Sequence, residues 1–131
     1  HLALSLLSAD GDDIPVVAEL RYSAQDPLAV EALFDDGTPD PVRWVLARDL
    51  LAAGLDRRTG DGDVVIWPTQ DAQAHPAVHL RLRSPNGDAL LEAPADAVAD
   101  FLAATARLVP PGTEYQYFDI DAAFESLLGE S

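Results

Sequence analysis

Apolar residues recur at every second position through the first two thirds of the chain, in short runs separated by clusters of Asp, Gly and Pro. The first runs are Leu2 to Leu6, Val16 to Tyr22 and Val30 to Phe34. Because successive side chains of a strand point to opposite faces, this alternation is typical of half-buried antiparallel strands. The pattern predicts a meander whose bends lie at Asp26-Pro27 and Asp36-Gly37.

A short helix is predicted after the fourth apolar run, Val42 to Leu46. The spacing changes there from two residues to that of a helix, since Leu46, Leu50 and Leu51 fall on one face. Gly54 stands where such a helix can end. One helix is therefore expected to interrupt the sheet.

The strand pattern resumes beyond the polar stretch Asp56 to Asp63. Apolar runs at Val64 to Trp67, Val78 to Leu82 and Ala89 to Ala93 predict three further strands. Asn86-Gly87 lies between the last two runs, and both residues tolerate the positive φ angles of a type I′ turn. This dipeptide is expected to form a two-residue hairpin turn.

Two helices are predicted in the last third of the chain. Pro94 can occupy the first turn of the longer helix. The side chains of its buried face recur at helical spacing up to Leu108, and Pro110 marks where the helix ends. A final short helix is expected after Asp119 or Asp121. Its buried face consists of Phe124, Leu127 and Leu128. The order of elements predicts an α+β fold dominated by antiparallel sheet, in one domain spanning residues 1–131.

Composition restricts the classes of partner and chemistry. The formal charge is −15 and the pI is near 4.1, so phosphate backbones and anionic lipids are repelled, and no nucleic acid is expected as a partner. The absence of cysteine removes disulfides and thiol nucleophiles, which fits an intracellular protein. No run approaches the ~20 apolar residues of a membrane-spanning helix. Because the first strand-like run starts at His1 without a methionine, a few native residues are expected to precede it.

Residue types that carry catalysis are present without a recognisable arrangement. His1, His75 and His79 lie in no nucleophile motif and are expected at the surface. The Asp-rich stretches coincide with turns or helix starts, and none has the full spacing of a calcium loop. The glycine-containing segment Thr59 to Asp63 lacks the lysine that a phosphate-binding loop carries. The sequence therefore predicts a non-enzymatic protein without catalytic residues, cofactor or metal. A hydrolase that uses carboxylates of the acidic loops remains a further alternative.

A family resemblance rests on several long blocks that occur in order. The densest is Trp44 to Leu55, which resembles the pattern W-V-F-A-R-D-L-L-x-x-G-L, with Leu46 at the position where phenylalanine is usual. Further blocks are Leu20 to Tyr22, Thr59 to Val64 with Trp67-Pro68 behind it, Ser84 to Pro94, and Val109 to Glu114. Together they resemble the SsgA-like proteins of sporulating actinobacteria.

The resemblance implies both a fold and a function. The fold is barrel-like, with about seven strands and two C-terminal helices, similar to the Whirly-type domains of single-stranded nucleic-acid binders, and it tends to trimerise. The function is that of a cytoplasmic protein at the cell septum, which recruits the tubulin-like division GTPase FtsZ and promotes its polymerisation together with an SsgA-like paralogue. No direct membrane insertion is implied.

Partner or oligomer contacts are expected at Arg57, Arg58, Trp67, Leu127 and Leu128, because these residues adjoin polar loops and include a basic pair that can clamp an acidic partner. A single-stranded nucleic-acid-binding module remains the alternative, since Trp and Tyr side chains can stack on bases. The basic residues that such a groove also requires are scarce.

Overall fold

The computed structural model of this protein describes residues 2–7, 13–35, 41–85 and 87–117. Seven strands and two α-helices follow one another in the predicted order. The strands are β1 (Leu2–Leu6), β2 (Ile14–Ser23), β3 (Asp26–Asp35), β4 (Val42–Ala47), β5 (Val64–Gln70), β6 (Pro76–Ser84) and β7 (Gly87–Pro94). The helices are α1 (Arg48–Gly54), α2 (Ala95–Leu108) and a 3-10 turn at Glu114–Tyr117.

All seven strands belong to one antiparallel sheet with the order β4-β3-β2-β1-β7-β6-β5. The two ends of the sheet approach each other, because Val42 and Trp44 of β4 line the same groove as Leu82 of β6 and Leu91 of β7. The sheet therefore curls, and its concave face carries the apolar side chains predicted from the period of two. The predicted α+β, barrel-like architecture is confirmed.

The helices close the concave face of the sheet. Val98 and Leu102 of α2 and Leu51 of α1 are buried in the same core cluster as the inward side chains of the strands. Helix α1 lies so close to β5 that a Cβ atom at Gly54 would be 2.7 Å from Cβ of Ile66 and would overlap its Cγ2 atom. Glycine at position 54 is thus required by packing, whereas the helix end makes no such demand, because the C-cap residue Leu55 has φ −69° and ψ −26°.

Two predicted turns are displaced by one or two residues. Gly87 is not in the β6–β7 turn but begins β7, where it pairs with Ser84 at φ +134°. Asp26 likewise pairs with Ser23 and opens β3, so the bend lies at residues 24–25. The cause is that cross-strand pairing extends the strands into residues whose local preference favours a turn.

The C-terminal predictions have different outcomes. Leu108, assigned to the buried face of α2, is 57% exposed because the helix ends there and the chain turns away. The final helix with Phe124, Leu127 and Leu128 lies outside the described residues, as does the turn at Asp36-Gly37. Within the described ranges, no helix is both long enough and apolar enough to cross a membrane.

Candidate partner-binding surface

One edge of the sheet carries a loop that folds back onto it. Strand β5 ends the sheet, and Thr59 in the preceding loop exchanges two backbone hydrogen bonds with Ile66, at 2.8 and 2.9 Å. Gly60 has φ +93°, and a Cβ atom there would run into the carbonyl oxygen of Val64. The loop can therefore cover this edge only with glycine at that position.

A cluster of four side chains, the Trp67 cluster, lies on the outer face beside this loop. Trp67, His79 and Glu92 stand opposite one another on β5, β6 and β7. The Arg58 guanidinium carbon lies 4.7 Å from the Trp67 ring centroid, in a cation–π contact. The Trp67 and His79 rings meet edge to face, with centroids 5.6 Å apart and planes at 71°. The strand register thus gathers residues that are far apart in sequence.

His79 differs from its sequence-based prediction. It was expected at the surface, yet its side chain is only 17% exposed, and its Nε2 atom lies 2.8 Å from Glu92 Oε2. The reason is that Trp67 and Glu92 flank it on both neighbouring strands, and the strand alternation alone does not show which side chains lie across. His75, by contrast, is exposed as predicted, with 74% of its side chain accessible.

The structure brings some of the predicted contact residues together and leaves others apart. Arg58 and Trp67 are brought together, whereas Arg57 is an exposed neighbour whose backbone N–H donates to the Ala53 carbonyl at 3.0 Å. Leu127 and Leu128 lie outside the described residues. Trp and Arg are enriched among residues that dominate binding energy at protein interfaces. The contact between Arg58 and Trp67 also lies where the loop meets the sheet edge. Its geometry therefore fits both a structural role in the loop and a role in binding a partner.

A buried polar network, the Arg48 network, was missed by the sequence analysis. Arg48 is 4% exposed and donates to the Val109 carbonyl at 2.7 Å, to the Thr105 carbonyl at 3.3 Å and to Glu114 Oε1 at 2.6 Å. The Tyr22 ring centroid lies 5.1 Å from its guanidinium carbon. An arginine from α1 thus caps the end of α2: it donates to the carbonyl of the C-cap residue Val109, and also to the Thr105 carbonyl, which accepts the Val109 N–H at 2.8 Å as well.

Glu114 completes this network from the 3-10 turn. Its Oε2 atom accepts the Gly112 N–H at 2.9 Å, and its Oε1 atom accepts the bond from Arg48. A hydrogen bond to its own backbone N–H, followed by the Arg48 guanidinium, holds the pKa of Glu114 below its ordinary value of 4.5. Arg48 and Glu114 both fall in blocks of the family resemblance, and that coincidence is the signal that could have paired them.

The part of the chain that the structure describes brings no three His or carboxylate side chains together in a way that could hold a metal ion. Asp71 accepts backbone N–H groups of His75 and Gln73, and the former in particular lowers the pKa of Asp71. A carboxyl group with a lowered pKa stays ionised, whereas a general acid needs a raised one.

Comparison with known proteins assigns the chain to a family. A family model described as "Streptomyces sporulation and cell division protein, SsgA" matches residues 16–114. The chain belongs to the SsgA family. The match runs from β2 to Glu114, so it includes the Trp67 cluster and the Arg48 network.

The relatives of this family member include proteins named "Sporulation-specific cell division protein SsgB". The one from Streptomyces coelicolor is 48% identical over the whole of this chain and 95% of its own length. The one from Thermobifida fusca is 45% identical over 93% of this chain and 88% of its own length. The predicted resemblance to the family is confirmed, and the relatives carry the name of a cell-division protein rather than of an enzyme.

Solved structures agree with the fold. One solved structure is described as "Mutations in SsgB correlate to longitudinal cell division during sporulation of Streptomyces coelicolor". It superposes on this chain with a TM-score of 0.86 and 50% sequence identity, and the match covers 89% of this chain and 91% of that chain. A crystal structure of an SsgA-like sporulation-specific cell division protein from Thermobifida fusca gives a TM-score of 0.85 and 43% identity, covering 95% and 90%.

Proposed function

We propose that this protein is a non-enzymatic component of sporulation-specific cell division, which localises to septum sites, recruits FtsZ and promotes its polymerisation. The observation that carries the proposal is the full-length similarity to proteins named for sporulation-specific cell division.

Assembly supplies the physical basis of recruitment. A homo-oligomer, which we take to be a trimer, presents several weak sites to one filament, and binding at the first site raises the effective concentration for the others. An SsgA-like paralogue is the second protein partner of this scheme. No anchor in the membrane is part of the proposal, and the protein is located at the septum when it recruits the filament.

Arg57, Arg58 and Trp67 are the proposed contacts to the filament. The two arginines stand on the loop over β5, and Arg58 lies against the Trp67 ring, so a partner that docks there meets a rigid aromatic group and positive charge on an otherwise acidic protein. Leu127 and Leu128, outside the described residues, are retained as proposed oligomer contacts. Leu128→Asp is expected to reduce the oligomer mass measured by light scattering.

Sedimentation of purified FtsZ with GTP tests the proposal. We expect this protein to pellet with the filaments and to increase the polymer mass. Arg58→Glu is expected to lose most of its co-pelleting, whereas Arg107→Glu, on the exposed end of α2, makes the same charge change away from the loop and is expected to retain it.

Different results of the sedimentation experiment would contradict different parts of the proposal. If the wild-type protein stays in the supernatant and the polymer mass does not change, direct recruitment is wrong. If Arg107→Glu loses as much co-pelleting as Arg58→Glu, general charge and not the loop is responsible. Salt-sensitive binding to a single-stranded oligonucleotide at low salt would instead favour the nucleic-acid alternative, which the charge of −15 opposes.

A further inference from the structure

The arginines of the chain fall into two groups, although 23 acidic residues are available to pair with them. One group pairs with carboxylates at distances from 2.6 to 3.4 Å and consists of Arg21, Arg43, Arg48 and Arg83. The other group forms no ion pair with a carboxylate of the described residues and consists of Arg57, Arg58, Arg81 and Arg107. Two members of this second group, Arg58 and Arg81, lie on the same face of the sheet.

Arg58 stands across from Trp67 on the outer face. Thr59 and Ile66 form an antiparallel hydrogen-bonded pair, so the residue before Thr59 is opposite the residue after Ile66. The Arg58 guanidinium carbon lies 4.7 Å from the Trp67 ring centroid. A guanidinium held in this way keeps N–H groups along its edges, where they can bind both oxygens of a carboxylate. The contact also reduces the side-chain freedom that Arg58 would lose on binding.

Arg81 lies near the same ring on the neighbouring strand. It follows His79 by two residues on β6, and His79 is directly opposite Trp67, so Arg81 is the diagonal neighbour of Trp67. Diagonal neighbours on a sheet are roughly 7–8 Å apart, which is within reach of a long side chain. Arg81 is half-buried, and the residues directly opposite it, Val65 and Leu90, are apolar. No charge stands directly across from Arg81 on either neighbouring strand.

The charges around the two arginines limit what can bind there. Glu92 pairs with His79 at 2.8 Å, and Asp88 pairs with Arg83 at 3.4 Å. The loop over β5 carries three exposed carboxylates, Asp56, Asp61 and Asp63. A ligand with many negative charges is repelled by these groups and by the charge of −15. A ligand with one or two carboxylates meets mainly the charges within a Debye length of about 8 Å, which include both unpaired arginines.

We propose that Arg58 and Arg81 together bind a carboxylate on a segment of a partner protein, and that this segment has one or two acidic residues rather than an acidic run. The charge complementarity between unpaired guanidinium groups and a carboxylate supports this partner. The exposed part of the Trp67 ring can receive an apolar side chain next to the acidic residue. The inference rests on the proposed function and deepens it, because it gives the chemistry of the partner segment and adds Arg81 to the contacts.

The probe is a synthetic nine-residue peptide of glycine and serine with Asp-Leu-Glu at its centre, and the control peptide has Asn-Leu-Gln there. Binding is followed by NMR of the full chain labelled with nitrogen-15. The chain has two tryptophans, whose indole N–H signals are assigned with Trp44→Phe. Trp44 packs against the core on the inner face, so its signal is the internal control.

We expect the acidic peptide to shift the Trp67 indole signal and to leave that of Trp44 in place. The control peptide is expected to bind about tenfold more weakly or worse, because it lacks the charge that the arginines pair with.

Protein variants locate the carboxylate between the two arginines. Arg58→Gln and Arg81→Gln are each expected to weaken binding of the acidic peptide by about threefold to tenfold, since each removes one charge-assisted hydrogen bond. Arg107→Gln is the matched control, because Arg107 is also unpaired among the described residues but lies at the end of α2, and it is expected to bind like wild type. Circular dichroism on the three variants checks that they are folded.

Three results would overturn the inference: an unmoved Trp67 signal, equal binding of the two peptides, or wild-type binding by both Arg58→Gln and Arg81→Gln. A ten-nucleotide thymidine strand that binds more tightly than the acidic peptide and displaces it would assign the arginines to nucleic acid, and would also overturn it. The same holds if Arg81→Gln lowers the oligomer mass measured by light scattering, since the face would then belong to a second copy.

Sedimentation with FtsZ separates this inference from the proposed function. If the wild-type protein pellets with the filaments but does not bind the acidic peptide, recruitment stands and the carboxylate site is wrong. If the peptide binds as expected while the wild-type protein stays in the supernatant, the carboxylate site stands and direct recruitment of FtsZ is wrong.

Discussion

Replacing Arg48 with methionine tests whether the Arg48 network holds the two helices together. Methionine fills much of the same space, so the substitution removes mainly the charge and its bonds. Arg48 is 4% exposed and makes three hydrogen bonds, of which two, to the Val109 and Thr105 carbonyls, cap α2. Hydrogen bonds of a charged group contribute roughly 1.5–3 kcal/mol each, and their sum is not additive. We expect Arg48→Met to lower the free energy of unfolding by about 3–5 kcal/mol.

Urea denaturation followed by circular dichroism measures this loss. With a slope of roughly 2 kcal/mol per molar urea, the midpoint is expected to fall by about 2 M. Arg43→Met is the matched control, because Arg43 makes an exposed ion pair with Glu31 at 2.9 Å. Exposed pairs contribute little, so its midpoint is expected to stay at the wild-type value. Equal midpoints for Arg48→Met and Arg43→Met would refute the reasoning.

Two further predictions concern packing and pH. Gly54→Ala places a Cβ atom 2.7 Å from Cβ of Ile66 and is expected to destabilise the fold by about 1–3 kcal/mol. Gly62→Ala is the control, because the space around the added atom is open, and its melting temperature is expected to stay nearly unchanged. Similar losses of stability for both variants would contradict the close helix–strand contact. Because the folded-state pKa of Glu114 lies below 4.5, its carboxylate stabilises the fold above about pH 4.5, and this contribution is lost as the pH falls through the folded-state pKa. Glu114→Gln is therefore expected to melt lower than wild type at neutral pH and to lose less on acidification, and an unchanged difference at every pH would contradict the coupling.

Part of the candidate surface was predictable from the sequence. Arg58 and Trp67 both belong to the predicted partner contacts, since a basic pair and an aromatic residue adjoin a polar loop. Their cation–π contact at 4.7 Å depends on the loop bending back over β5, which is fixed by the Thr59 and Ile66 backbone bonds and by the positive φ of Gly60. A polar composition identifies a loop, but it does not specify where the loop lies.

The order of the described strands and helices along the chain, the inward-facing residues of the strands and the family all follow from the sequence, because alternation and helical spacing are local properties and the family blocks are contiguous. Tertiary structure alone decided that Arg48 meets Glu114, 66 positions away, and that His79 is half-buried between Trp67 and Glu92. It also decided that the sheet curls until β4 faces β6 and β7 across an apolar groove. The physical reason is that a pattern shows which face of an element is apolar, whereas register, curvature and loop path settle which side chains share that face.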